Sequence, residues 1–234
     1  EALAAVSGSV NQIVTLIVEV FVGLTSGASV IIAQFYGAKD HKNLNRTLHT
    51  AYAFAIVTGA IVGLIGFWIT EKVLIAMKTP SELMADSVIY LHIYFCGMIF
   101  NIVYNMGASI LRAVGDSRRP LYVLIMTCGL NIFFDIMLVV FLKMCVMGVA
   151  IATVSCQGIS ACMVTWILIK GNSLFRLKIR EIRFYMASLQ SVLRIGIPAA
   201  LEATMYTIAN LIIQIFVNGL GTDTVAAWGT FAKI

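Results

Sequence analysis

Residues Leu121–Leu142 read LYVLIMTCGLNIFFDIMLVVFL and contain one charged residue, Asp135. A helix of about 20 residues crosses the hydrocarbon core of a bilayer, so this stretch is long enough to span a membrane. The strands of a transmembrane barrel are about half as long and alternate polar with apolar residues, which this stretch does not do. The stretch therefore predicts a membrane-spanning helix.

The rest of the chain repeats this pattern. Similar apolar runs cover residues 6–36, 48–70, 87–111, 146–169 and 195–220, and a seventh begins near Thr224. The composition agrees, because 60% of the residues are hydrophobic and only 12% are charged, whereas a soluble domain has roughly a quarter of its residues charged. We predict an all-α, polytopic transmembrane bundle of about six full spans plus the start of a seventh.

Basic residues are concentrated in alternate loops. Twelve Lys and Arg follow the first, third and fifth spans, and three lie in the loops between them. The twelve are Lys39, Lys42, Arg46, Arg112, Arg118, Arg119, Lys170, Arg176, Lys178, Arg180, Arg183 and Arg194. Short loops rich in Lys and Arg remain in the cytoplasm, so Glu1 is predicted to lie outside. The net charge of +5 is thus accounted for by topology, and we predict no binding of nucleic acid.

The longest polar stretch, residues 170–192, interleaves apolar residues with its charges and resembles an amphipathic connector at the membrane interface. Such a connector separates two bundles. We therefore predict an amino-terminal lobe over residues 1–192, including the connector, and the start of a carboxy-terminal lobe over 193–234. A weak repeat of residues 1–7 at 223–229 favours two lobes related as parallel repeats.

The Cys and His residues show no metal-binding spacing, and we predict no cofactor. Asp135 is the ionisable residue that most needs an explanation, because a carboxylate in the hydrocarbon core is costly unless it faces a cavity or a partner. Asn131, four residues earlier, lies on the same helical face. Thr153 on the next helix lies at a similar depth below the turn near Cys145, about 12 Å against about 15 Å for Asp135.

Carboxylate, amide and hydroxyl oxygens suit Na⁺, or a proton held on the carboxylate. The spacing therefore favours a cation-coupling site at Asp135, Asn131 and Thr153. The alternative is a structural hydrogen-bond clamp between two helices.

Several segments of the chain resemble the multidrug and toxic compound extrusion (MATE) family of cation-coupled exporters. They are Gly27–Gln34 (GASVIIAQ) with Gly37–Asp40 (GAKD), Leu111–Arg118 (LRAVGDSR) with Pro120, Asn131–Asp135 (NIFFD), Gly148–Thr153 (GVAIAT), and Arg194–Pro198 (RIGIP) with Glu202. The resemblance implies twelve helices in two six-helix lobes. It matches this chain to helices two to seven and the opening of helix eight, so the first helix and most of the second lobe would be missing here.

The resemblance also implies roles for single residues. It places Asn131, Asp135 and Thr153 in a coupling site of the first lobe, which in many members is shared with an acidic residue of the first helix. It matches Glu202 to an acidic residue at a site of the second lobe. Glu202 also follows Pro198 by four residues, and Pro leaves a backbone carbonyl of the preceding turn without its helical donor. An irregular turn beside a carboxylate can line a cavity. The alternative role for Glu202 is that of a glutamate whose side chain reaches the cytoplasmic interface.

Some polar residues within the spans are candidates for a substrate path, although helix-to-helix hydrogen bonds are the more ordinary role for most of them. They are Gln34, Asn101, Asn105, Gln157, Tyr206 and Asn210. Glu19 lies outside the family pattern, and the sequence assigns it no role.

The resemblance implies a multi-pass transporter of the plasma (inner) membrane, monomeric when full length. It would exchange Na⁺ or H⁺ for organic, often cationic, compounds by alternating access. A lipid-linked saccharide flippase of related architecture is the alternative, but every Arg lies in or beside a predicted cytoplasmic loop rather than in a central cavity. An intramembrane enzyme is a weaker alternative, because the sequence lacks paired catalytic residues. A seven-helix receptor is also weaker, because the Asp–Asn–Thr cluster fits it poorly.

Overall fold

The computed structural model describes residues 2–76, 81–171 and 175–219. Within these ranges the chain is helical and contains no strand, which confirms the all-α prediction. The helices are α1 (Ala2–Gly37), α2 (His41–Ala76), α3 (Ser81–Cys96), α4 (Met98–Ala113), α5 (Arg118–Asp135), α6 (Cys145–Ile169) and α7 (Met186–Gly219).

Six segments of the described chain are long and apolar enough to cross a membrane, as predicted. Five are single helices or a helix with a short extension, and the sixth is the pair α3–α4, which bends by 48° at Gly97. The chain is therefore a multi-pass membrane protein. The seventh span, predicted to begin near Thr224, lies outside the described residues.

The bend at Gly97 differs from the prediction of one continuous span over residues 87–111. A Cβ at Gly97 would lie 2.5 Å from a methyl carbon of Val154 on α6. Glycine thus lets the bend between α3 and α4 pack against α6 more closely than any residue with a side chain would permit. Hydropathy alone does not show this contact, because both halves of the span are equally apolar.

The fourth span changes its helical geometry at Asp135. Asp135 is the last residue of α5, and residues Ile136–Phe141 continue as a π-helix up to the turn before α6. A π-helical turn displaces backbone hydrogen bonds by one residue, and such turns occur frequently at functional sites. The sequence predicted an uninterrupted helix here.

The first and last described helices cross in close contact. A Cβ added at Gly23 would lie 2.3 Å from the Cα of Ala200, and one at Gly27 would lie 2.4 Å from the backbone nitrogen of Gly196. Small residues four apart on both helices thus bring the two backbones together, the arrangement that drives helix association in membranes. The contact joins α1 to α7 across the predicted lobe boundary.

The ends of the helices that carry the basic loops lie together. Tyr36 at the end of α1 packs edge-on against Phe175 after α6, with 6.4 Å between the ring centroids. Gly107 near the end of α4 contacts Val164 near the end of α6. One end of the bundle therefore collects the loops that the charge pattern predicts to be cytoplasmic.

The connector between α6 and α7 is shorter than predicted. Residues 175–185 are non-helical except for a 3₁₀ turn at Ile179–Glu181, and α7 begins at Met186. Residue 192 therefore lies inside a continuous helix, and the division into lobes near this position stays a prediction.

Two buried side chains of α2 bind the backbone of this connector. The N–H of Lys178 donates to Nε2 of His49 at 3.1 Å, and the N–H of Tyr185 donates to Oγ1 of Thr50 at 3.1 Å. His49 and Thr50 also bond to backbone carbonyls of their own helix at 2.7 and 2.8 Å. We call His49, Thr50 and the connector groups that they bind the connector clamp.

Candidate functional site

The candidate site is built around the end of α5. Asp135 and Asn131 are half-buried and lie one helical turn apart on that helix. Oδ1 of Asp135 is shielded from solvent and has no hydrogen-bond donor among the residues the structure describes. A buried carboxylate oxygen without a donor is costly, so this oxygen marks a place where a ligand can compensate the missing bond.

Helix α6 turns three polar side chains toward this carboxylate. Cys156 and Gln157 follow Thr153 by three and four residues, which places all three on one helical face. The buried Cys156 thiol lies near the Asn131 side chain and within electrostatic range of Asp135. The face of α6 that carries Thr153 therefore packs against the face of α5 that carries Asp135.

Helix α3 closes the group with two tyrosines. Tyr90 and Tyr94 stack with nearly parallel rings, 6.2 Å between centroids and 10° between planes. Tyr90 lies within electrostatic range of Asp135, and Tyr94 lies near Gln157. We refer to the residues contributed by α3, α5 and α6 as the Asp135 group; they are Tyr90, Tyr94, Asn131, Asp135, Thr153, Cys156 and Gln157.

The Asp135 group lacks a positive charge. The ion pairs of the described residues are Arg119 with Asp116 at 3.1 Å and Lys178 with Glu181 at 2.8 Å, both in the loops. The described residues also contain no cluster of three His, Cys, Asp or Glu side chains that could hold a transition metal. The chemistry of the group is that of one carboxylate among neutral oxygens, which fits a proton or a hard monovalent cation.

The structure therefore places the three residues of the predicted coupling site on facing helices. Asp135 and Asn131 share a face of α5, and Thr153 lies on the face of α6 that approaches them. Within the described residues no hydrogen bond joins Thr153 to Asp135, so the clamp considered as an alternative is not formed between those two side chains.

Glu202 is not brought into this group. It is exposed on α7, four residues after Pro198, which lies inside the helix. Helix α7 packs against α1 and, less extensively, α2, whereas α5 packs against α6. Glu202 therefore lies on a different part of the bundle from Asp135, as expected for residues predicted to serve two sites.

The residues predicted to line a substrate path are dispersed. Asn105 donates to the backbone and side-chain oxygens of Asn101 at 2.9 and 3.0 Å, so these two amides bond to each other along α4. Gln34 is exposed on α1, and Tyr206 is 72% exposed on α7. Asn210 lies in α7, beyond the residues whose side chains are described. Among these candidates only Gln157 belongs to the Asp135 group.

The sequence did not identify Tyr90, Tyr94 and Cys156 as parts of the site. The spacing of four between the tyrosines shows that they share a face of α3, but not that this face meets α5 and α6. Cys156 is an ordinary small residue of an apolar helix by composition.

Comparisons with known proteins agree with the fold. The MatE family model matches residues 1–137 of the 234. A probable multidrug resistance protein, YoeA of Bacillus subtilis, is 29% identical over 242 residues, covering 100% of this chain and 52% of that protein. The chain thus spans about half the length of this relative.

Solved structures of MATE transporters share the fold. A MATE crystal structure in the bent conformation superposes with a TM-score of 0.90 at 22% identity, covering 98% of this chain and 52% of the other. An inward-facing multidrug resistance MATE family transporter superposes with a TM-score of 0.79 at 22% identity, covering 89% and 47%. Since the family model matches more than half of its residues, the chain belongs to the MatE family.

Proposed function

We propose that this chain forms half of a two-lobed secondary transporter that exports organic, often cationic, compounds in exchange for Na⁺ or H⁺. The observation that carries the proposal is the Asp135 carboxylate, held between three helices with a buried oxygen that has no donor within the described residues. A negative charge in a membrane is stable only if a cation or a proton compensates it. Asp135 is therefore suited to load and release the coupling ion.

The mechanism follows from this requirement. When the ion neutralises Asp135, the three helices can close around a group without net charge. When the ion leaves, the uncompensated carboxylate favours a state that admits water or a cationic drug. If ion and drug bind in alternation, each promotes release of the other, which is a negative coupling between two ligands. Alternating access between two lobes converts this coupling into transport.

Three further findings support the proposal. The relative YoeA is named a probable multidrug resistance protein. MATE structures in bent and inward-facing conformations both superpose on this chain, as expected of a fold that takes part in alternating access. Basic loops collected at one end of the bundle favour an orientation with that end in the cytoplasm, and we propose the plasma membrane as the location. We expect the transporter to function as a monomer in contact with lipid.

The test is transport by the whole protein in proteoliposomes. A fluorescent organic cation inside the vesicles should leave faster when an inward gradient of Na⁺ or of protons is imposed, and collapsing that gradient should stop the accelerated efflux. Separate Na⁺ and pH gradients identify the ion. Equal efflux with and without either gradient would contradict ion-coupled export.

A further inference from the structure

A second buried acceptor lies one helical turn from Asp135. Oε1 of Gln157 is shielded from solvent, like Oδ1 of Asp135, and it too has no hydrogen-bond donor within the described residues. The third such atom, Oγ1 of Thr47, is at the other end of the bundle on α2. Two of the three unpartnered buried oxygens in the described chain thus belong to the Asp135 group.

The two oxygens belong to successive tiers of that group. Helices α5 and α6 are antiparallel and joined by a short turn, so residues equally far from the turn lie at the same level. Asp135 and Thr153 form one tier by this measure, and Asn131 and Gln157 form the next, about 6 Å deeper at 1.5 Å per residue. The tyrosines of α3 follow the same order, with Tyr90 near Asp135 and Tyr94 against Gln157.

The Gln157 amide supplies an acceptor to the deeper tier. An amide has donors on nitrogen and an acceptor on oxygen. Within the described residues the Oε1 acceptor of Gln157 is shielded from solvent and has no partner. Asn131 lies at the same level on α5, near Cys156.

We propose that Gln157 is a Na⁺ ligand, with Asn131, in a deep tier of the coupling site, so that the cation has two stations one turn apart. This proposal rests on the proposed function and refines it. An amide carbonyl coordinates hard cations but has no proton to exchange near neutral pH, so the deep tier serves Na⁺ rather than H⁺. A cation at this tier remains within reach of the Asp135 charge through a medium of low dielectric constant.

The test compares Gln157→Leu with Gln190→Leu in the whole protein. Both changes replace an amide by an apolar side chain of similar size, but Gln190 is exposed near the start of α7 and outside the Asp135 group. We expect Gln157→Leu to raise the Na⁺ concentration for half-maximal Na⁺-driven efflux by roughly five- to ten-fold, whereas Gln190→Leu leaves it unchanged. Gln157→Asn keeps the amide and should restore part of the affinity.

A binding measurement separates failure of the subsite from failure of the transport function. Na⁺ should raise the thermal stability of the detergent-solubilised protein relative to choline, because a ligand that binds the folded state stabilises it. Gln157→Leu should reduce this Na⁺-specific shift even if transport is not observed. If Gln157→Leu does not fold, Gln157→Asn carries the comparison alone.

Three outcomes would overturn the deep tier. One is an unchanged Na⁺ half-saturation in Gln157→Leu and Gln157→Asn. Another is a Na⁺-induced rise in the thermal stability of these two variants that equals the rise seen in the unmodified protein. The third is efflux driven by protons without any response to Na⁺, which would leave the antiport function intact and remove the Na⁺ ligand.

Discussion

The chain buries polar side chains in two regions, one in which their hydrogen bonds are satisfied and one in which two acceptors lack a donor. In the connector clamp, the His49 ring and the Thr50 hydroxyl each have a donor and an acceptor partner. In the Asp135 group, Asp135 and Gln157 each retain a buried oxygen without a donor in the described structure. The Asp135 group contains more polar side chains than the connector clamp, so its missing partners reflect how the helices face one another rather than a shortage of polar residues.

This difference separates a structural role from a functional one. A saturated cluster stabilises one arrangement, because any movement leaves a buried group unpartnered. An unsaturated cluster is stabilised by a ligand, and its arrangement can change with occupancy. The connector clamp should therefore respond to substitution through stability, and the Asp135 group through transport.

The largest expected effect is that of Asp135→Asn. Asparagine keeps the shape of the side chain and removes its charge, so gradient-driven efflux by the whole protein should fall to background while the amount of folded protein changes little. Efflux in proteoliposomes, normalised to folded protein, measures this. Asp86→Asn, in the outer part of α3, makes the same chemical change outside the Asp135 group and should leave efflux normal. Undiminished gradient-driven efflux by Asp135→Asn would remove the proposed coupling role.

The connector clamp is broken most cleanly by Thr50→Val, which keeps the shape of Thr50 and removes its hydroxyl. The N–H of Tyr185 would lose its acceptor, and the fold should lose about 1–3 kcal/mol. Thr47→Val is the matched control on the same helix, because Thr47 is equally buried and its hydroxyl has no partner in the described structure. That change should leave stability unchanged or raise it. Thermal unfolding in detergent compares the two, and equal destabilisation would show that the clamp hydrogen bonds are not what stabilises the connector.

A smaller effect is expected of Thr153→Ala. The substitution removes one neutral oxygen from the tier of Asp135, a loss of about 1 kcal/mol or a few-fold in ion affinity. The ion concentration for half-maximal efflux measures it, and Thr153→Ser, which keeps the hydroxyl, should behave as the unmodified protein does. If serine and alanine weaken coupling equally, the methyl group rather than the hydroxyl matters at this position.

The smallest effect concerns Asp40, outside the membrane at the start of α2. The backbone N–H and side-chain amide of Asn43 donate to its carboxylate at 3.1 and 2.7 Å, and these bonds lower the pKa of Asp40 below its ordinary value of 3.8. A lowered pKa in the folded state stabilises the fold above the pKa of the unfolded state, and this contribution is lost as the pH falls through the folded value.

Asp40→Ala should therefore lower the thermal midpoint slightly at about pH 6, and the gap from the unmodified protein should close toward about pH 3. The gap is measured by thermal unfolding at both pH values. A gap that widens on acidification would contradict the assignment of the stabilising form to the carboxylate.

The class of fold could be predicted from the sequence because a membrane span is a long local run of apolar residues. The bend at Gly97 and the π-helix after Asp135 could not, since each arises from contacts between helices or from a shift in backbone hydrogen bonds that leaves hydropathy unchanged. The packing of residues 175–185 against α2 could not be predicted from the sequence either. His49 and Thr50 bind backbone N–H groups, and any residue type except proline supplies these.

The candidate site was predictable in part for the same reason. The spacing of Asn131 and Asp135 is local. Thr153 could be added because the two helices are antiparallel, so its number of residues from the turn predicts its depth in the membrane. Tyr90 and Tyr94 could not be added in this way, because α3 is distant in sequence and its rotation about its own axis is decided by packing.

The close crossing of α1 and α7 has a consequence for how the protein is made. Gly27 and its contact Gly196 are 169 residues apart in the chain. At synthesis rates of about 5–20 residues per second, the glycine face of α1 emerges from the ribosome roughly 10–30 s before its partner exists. Lipid or the insertion machinery must cover that face in the interval, so α1 reaches its final packing only after α7 has been made.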